Sequence, residues 1–149
     1  MKSFTAGLFF TLTLSLLASN VHSSELTISC GDSSGYAYYF EGGLVEKSKS
    51  GFVQDGITGG QISLTLNDKN EGDILTLDAT GVLKSASSQG GTILAIPAGG
   101  NSMNWIALYE DGTLEVYSYN GNSNTVASYR NTVGNATIAK NSIFISTCN

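Results

Sequence analysis

The residues most suggestive of catalysis form the segment Gly31-Asp32-Ser33-Ser34-Gly35, which fits the G-x-S-x-G pattern of a nucleophile elbow. An elbow of that kind needs a strand before the serine, a helix after it and a histidine base elsewhere in the chain. Here an aromatic strand is expected to follow, and the single histidine, His22, belongs to a leader that we expect to be removed. The segment is therefore interpreted as a turn between two strands, because Gly, Asp and Ser are turn formers.

Carboxylates offer a second kind of chemistry. Glu110 with Glu115, or Asp73 with Asp78, could act as an acid–base pair, so a carboxylate-dependent hydrolase is one alternative function. The acidic loop at residues 67–73 contains oxygen ligands that suit Ca²⁺, but its order differs from that of an EF-hand, and calcium binding there stays open. Chance pairs are expected among twelve acidic residues, so we assign no catalytic residue, metal site or cofactor, and an enzyme is not the favoured interpretation.

The two cysteines lie at opposite ends of the expected mature chain. Cys30 follows the leader closely, and Cys148 is one residue from the end. In an exported protein, a lone pair of this kind predicts a disulfide, which would stabilise the fold by roughly 4–5 kcal/mol in the chain-entropy model. The bond would hold the first and last strands side by side, and we expect these two strands to be the edges that closure of the sheet removes.

The first residues resemble a signal peptide. Lys2 precedes an apolar run at residues 8–18, and small residues follow at Val21 and Ser23, where cleavage is expected. The run is too short to span a membrane. The sequence thus predicts a signal peptide at residues 1–23, one domain at residues 24–149, and a location in the periplasm or outside the cell.

The expected mature chain is acidic, with six basic residues against twelve acidic ones once Lys2 is removed. This balance excludes nucleic acid and anionic membranes as favoured partners. A protein or a small-molecule ligand remains possible.

Short apolar alternations separated by Gly, Asn and Asp predict an all-β fold, a compact antiparallel barrel or sandwich of about ten short strands. Residues 44–60 have little periodicity and are predicted to be a long loop. Asp111-Gly112 predicts a two-residue hairpin turn that pairs Ala107 with Val116 and Trp105 with Ser118. That register puts Tyr117 on the opposite face from Trp105. We predict possible binding residues among the aromatic side chains Tyr36, Tyr38, Phe52, Trp105 and Tyr117.

Several segments resemble a group of small exported proteins of Gram-negative bacteria. They are Cys30-Gly31, Gly35-Tyr36-Ala37-Tyr38-Tyr39-Phe40, Gly51-Phe52, Asp55-Gly56-Ile57 and Asp78-Ala79-Thr80-Gly81, together with Cys148. The likeness covers nearly the whole mature chain, although the group usually has Trp at the position of Phe52. It implies export and no particular activity.

Ser85-Ala86-Ser87-Ser88 is similar to the inhibitory loop of the periplasmic C-type lysozyme inhibitors, with Ser88 in place of their glycine. We therefore expect a non-enzymatic binding or structural domain, with a small inhibitor of a secreted enzyme as the alternative.

Overall fold

The computed structural model describes residues 25–78, 80–132 and 137–149, and within them the chain forms ten strands and one 3-10 turn. The strands are β1 (Leu26–Tyr39), β2 (Gly51–Ile57), β3 (Gln61–Leu66), β4 (Gly72–Leu77), β5 (Leu83–Ser85), β6 (Thr92–Pro97), β7 (Ser102–Leu108), β8 (Leu114–Asn120), β9 (Thr125–Thr132) and β10 (Lys140–Cys148). The 3-10 turn is Lys47–Lys49. The expected signal peptide, including His22, lies outside the described residues.

All ten strands belong to one antiparallel sheet, in the order β5-β4-β3-β1-β10-β9-β8-β7-β6, with β2 alongside β1. The sheet curls into a half-barrel and brings β4 close to β6 and β7. The all-β prediction is confirmed, and the architecture is one curled sheet rather than two stacked sheets. No helix among the described residues has the length and apolar character needed to cross a bilayer.

The predicted disulfide is confirmed, because Cys30 and Cys148 are bonded and lie opposite one another on β1 and β10. The expectation that these strands are edges is wrong. They lie at the centre of the sheet, and β5 and β6 are its ends. The disulfide therefore fastens the middle of the sheet.

Strand β1 has two partners along one side. Residues Leu26–Cys30 pair with β3, and residues Ser33–Tyr39 pair with β2, so β2 replaces part of the predicted loop at residues 44–60. Between these halves the register with β10 shifts, because β1 has one extra residue near Gly31 and Asp32. This β-bulge changes which side chains face inward. Ile28 and Cys30 face the core before it, and Ser33 and Ala37 do so after it.

The β7–β8 hairpin differs from its predicted register by one residue. Leu108 pairs with Leu114, Ala107 with Glu115 and Trp105 with Tyr117. The connection is longer than two residues, since the amide of Gly112 donates to the carbonyl of Tyr109, and the amide of Tyr109 donates to that of Thr113. A slip of one residue exchanges the faces of a strand, so Glu115 and Tyr117 join Trp105 on the inner face.

The apolar core fills one half of the concave inner face. Trp105 is fully buried at its centre, and its indole Nε1–H donates to the carbonyl of Thr65 at 2.8 Å. That hydrogen bond connects β7 with β3, which are far apart in the sheet order. Gly72 makes the approach possible, because a Cβ atom there would lie 2.9 Å from the Cβ of Ala95 and 3.1 Å from Cδ1 of Trp105.

Other buried core side chains surround the indole: Ile28, Cys30, Leu64, Ile74, Ala86, Met103, Ala107, Tyr117, Val126 and Cys148.

Candidate functional site

The convex side of the sheet brings three of the predicted binding residues together. Tyr38 lies opposite Phe52 on β2, and Tyr36 is two residues away on the same face of β1. The ring centroids of Tyr38 and Phe52 are 5.0 Å apart in an edge-to-face arrangement. Tyr129 of β9 completes the cluster through Ile143 of β10, which lies between Tyr36 and Tyr129. We call this set, with Ile145, the outer aromatic surface.

The outer aromatic surface is apolar, uncharged and open to solvent. Phe52 is 81% exposed and Tyr36 is 62% exposed, so the cluster leaves a patch of neighbouring rings open to solvent. The surface borders a groove of about 730 Å³, whose polar contributors are the hydroxyl groups of its serine and tyrosines and the amides of Gln54 and Asn141. The groove lining contains no charged residue. The groove therefore offers no charged group to which a partner could bind by an ion pair.

The apolar character continues along the same face to the end of the sheet. The register that places Tyr36 beside Ile143 and Tyr129 continues through Val116, Ile106 and Leu94. A row of this kind across β1, β10, β9, β8, β7 and β6 is about 24 Å wide at normal strand spacing. Leu94 and Ile143 are both exposed. A solvated face would normally alternate to polar residues, so this face has the composition of an interface.

The remaining two predicted binding residues lie on the opposite face. Trp105 is in the core, and Tyr117 is buried beside it. The hairpin register is the reason, because the predicted two-residue turn separated residues that the observed pairing puts together. Neither side chain reaches the outer aromatic surface.

The concave face has a polar half, which sequence reasoning missed as a site. Its centre is Glu115, which is only 5% exposed. One carboxylate oxygen, Oε1, is 3.0 Å from Nε of Arg130, and the other, Oε2, accepts hydrogen bonds from Tyr109 at 3.3 Å and Tyr117 at 3.2 Å. Burial, reinforced by the negative charge of Glu115, raises the pKa of Tyr109 to about 12. Burial likewise raises the pKa of Tyr117.

A second polar group lies where β1, β2 and β10 meet. The hydroxyl of Tyr39 donates to Oδ2 of Asp55 at 2.9 Å, and Nζ of Lys140 is 3.5 Å from the same oxygen. Burial alone would raise the pKa of Asp55, but the hydrogen bonds from Tyr39 and the Gly56 amide and the positive charge of Lys140 hold that pKa below its usual value. Lys140 and Arg130 line one cleft of about 240 Å³, which we call the inner cleft.

Small side chains create the space of the inner cleft. Ser142 lies directly opposite Arg130, and Ala37 lies opposite Ser142 on the other side. Ser33 and Ser128 also face this half of the concave side, where the apolar half has Trp105 and Leu64. The signal that could have found the cleft is the run of small residues at alternating positions of β1, β9 and β10, once the bulge is placed.

The segment Gly31–Gly35 is part of the continuous strand β1, so neither an elbow nor a turn forms there. Three of the carboxylates considered for hydrolysis, Asp73, Asp78 and Glu115, each bond to other groups of the fold. Asp73 accepts hydrogen bonds from the hydroxyls of Ser85 and Ser87, whereas Asp78 pairs with Lys84 at 3.1 Å.

In the acidic loop at residues 67–73, Oδ1 of Asn67 accepts the amides of Lys69 and Glu71. The described part of the chain has no group of three or more His, Cys, Asp or Glu side chains placed to hold a metal ion.

The Ser85–Ser88 loop packs against its own domain. The hydroxyls of Ser85 and Ser87 bond to Asp73, Ala86 is buried, and the hydroxyl of Ser88 donates to the carbonyl of Ser85.

Comparison of this chain with protein-family models, with curated proteins and with solved structures gives no match.

Proposed function

We propose that this chain is a non-enzymatic binding domain, located in the periplasm or outside the cell, that packs its outer aromatic surface against a partner protein. The observation that carries the proposal is the exposure of Phe52 and Tyr36 within an uncharged apolar face that extends across most of the sheet. Aromatic residues are enriched and charged residues depleted at the centres of protein interfaces. The aliphatic neighbours Ile143 and Ile145 favour a protein over a glycan, since sugars stack on rings and bond to polar groups.

The proposed location is supported by the Cys30–Cys148 disulfide, because such bonds persist in oxidising compartments. A place in the group of exported Gram-negative proteins stays a proposal, supported by the quoted segments alone. The non-enzymatic assignment is supported by the bonds that Asp73, Asp78 and Glu115 make to other groups of the fold.

Site-specific photocrosslinking in the source cell tests the proposal. A photoreactive phenylalanine analogue replaces Phe52 or Tyr36, both exposed, in the chain expressed with its own leader segment. The matched control places the same analogue at Lys69, in the exposed turn between β3 and β4. We expect a discrete adduct of one mass from the two surface positions and none from the control.

A second variant separates specific docking from general stickiness. Replacing Ile143 by Ser, with the crosslinker at Phe52, should abolish the adduct, because the serine breaks the apolar row between Tyr36 and Tyr129. An adduct with a secreted enzyme would favour the inhibitor alternative, which loss of that enzyme's activity on addition of the domain would then test. The proposal fails if no position gives an adduct, or if Lys69 gives the same adduct as Phe52.

A further inference from the structure

Two cations of the inner cleft, Arg130 and Lys140, use only part of their hydrogen-bond donors. Arg130 uses its Nε atom on Glu115, and neither of its Nη groups bonds to a described residue other than Glu115. Lys140 has three donors and bonds to Asp55 and Tyr39. The two carboxylates are already engaged, since Glu115 and Asp55 each accept a tyrosine hydroxyl as well as their cation. The two cations therefore keep donors that an acceptor on a ligand could use.

An orphaned polar atom supports the same conclusion. Ser33 is one of the residues around the cleft and is only 8% exposed, and its hydroxyl has no hydrogen-bond partner among the described residues. A buried hydroxyl without a partner costs free energy, and a small movement that lets it bond to a ligand in the cleft would recover that cost. Ser142, also buried, lies beside Arg130 on the neighbouring strand.

We propose that the inner cleft binds a small organic carboxylate, with its oxygens on Arg130 and Lys140 and its apolar body against Ile62, Ile74 and Phe144. A carboxylate is acceptor-only and matches the fork of a guanidinium. The cleft of about 240 Å³ has room for about eight water-sized groups. Its apolar wall belongs to the core side of the concave face, so a purely polar anion would leave that wall unused.

The charges around the cleft are balanced. Arg130 faces Glu115, Lys140 faces Asp55, and Lys84 faces Asp78. Glu115 is the buried member of its pair, whereas the Arg130 side chain is 54% exposed, so a ligand entering from solvent meets the guanidinium first. The proposal is independent of the outer aromatic surface, because Arg130 and Tyr129 are adjacent on β9 and point to opposite faces.

Binding of matched ligands tests this site. Benzoate and hexanoate are compared with benzamide and hexanamide by ¹H–¹⁵N NMR titration of the exported protein with its disulfide intact. We expect at least one carboxylate to bind about tenfold more tightly than its amide, since the charged hydrogen bonds are the difference. The shifted resonances should include Ser33 and Ser142.

Three variants locate the site. Arg130→Lys keeps a cation for Glu115 and removes the two Nη groups, and we expect it to weaken carboxylate binding about tenfold while leaving amide binding unchanged. Lys140→Gln, which leaves the ion pair of Arg130 with Glu115 intact, should also weaken carboxylate binding. Lys69→Gln removes the same charge from the β3–β4 turn and should have no effect. Equal binding of acids and amides, no binding of either acid, or insensitivity to both cleft variants would overturn the proposal.

Discussion

Replacing Trp105 by Phe tests how the curled sheet is held closed. The indole is fully buried, and its hydrogen bond to the carbonyl of Thr65 joins β7 to β3 across the concave side. Phenylalanine keeps most of the apolar contact but has no donor. The substitution therefore separates the hydrogen bond and the local fit from the general hydrophobicity of the core.

The expected loss has two parts. Leaving the part-buried Thr65 carbonyl without its donor costs about 1–3 kcal/mol. The smaller ring leaves a gap beside Gly72 and Ala95, which costs about 1 kcal/mol when the surroundings relax only partly. We expect the free energy of unfolding to fall by about 2–4 kcal/mol, a large share of the about 5–15 kcal/mol typical of a domain.

Urea unfolding followed by far-ultraviolet circular dichroism measures this loss without depending on tryptophan fluorescence. At an m value of about 1.5 kcal/mol per molar, a loss of 3 kcal/mol lowers the midpoint by about 2 M. Phe52→Leu is the control, because this ring is exposed and its truncation should change stability by less than about 0.5 kcal/mol. A loss below about 1 kcal/mol for Trp105→Phe would show that the hydrogen bond does not hold the sheet closed.

Three further outcomes follow from the fold. Replacing Cys30 and Cys148 together by Ala should lower the free energy of unfolding by roughly 4–5 kcal/mol, because the bond spans 118 positions; an unchanged urea midpoint would contradict this. Gly72→Ala should cost about 1–3 kcal/mol through its contact with the indole, and a neutral result in the same assay would mean that the sheet ends are not so close. Tyr109 and Tyr117 should ionise last in an absorbance titration, since both pKa values are raised, Tyr109 to about 12. Both tyrosines bind their proton more tightly in the folded protein than in the unfolded chain. The stability that this difference contributes is present below pH 10.0 and is lost as the pH rises through 12. A free energy of unfolding that stays constant over this range would refute the buried arrangement.

Fold class and the disulfide could be predicted because both depend on composition and on simple periodicity. The alternation in residues such as Ile62, Leu64 and Leu66 defines a strand without any knowledge of its neighbours. Strand β2 was missed because it pairs with β1 alone, so its residues are mostly exposed and carry no inward alternation. Its position is set by tertiary pairing, which local sequence does not encode.

The sites depended on register, which is the less predictable quantity. Tyr36, Tyr38 and Phe52 were predicted as possible binding residues without any predicted contact between them. They lie side by side because the even-numbered positions of β1 after the bulge face outward and Phe52 pairs with Tyr38. The turn after Tyr109 was predicted to be one residue shorter than it is. The predicted register therefore placed Glu115 on the opposite face from Tyr109, and the hydrogen bonds of Tyr109 and Tyr117 to Glu115 could not be foreseen. Asp111-Gly112 favours a two-residue turn locally, but the amide of Thr113 bonds to the Asp111 side chain and extends the loop.

The extra residue at Gly31 and Asp32 exchanges the inward-facing and outward-facing positions of β1 for the rest of the strand. A regular β1 of the same sequence, formed without this bulge, would have two incompatible outcomes. Either Tyr36 and Tyr38 rotate into a space shaped for serine and alanine, or the strand slides and Cys30 no longer meets Cys148. A single unpaired position thus decides whether the tyrosines are presented to the surroundings or hidden from them.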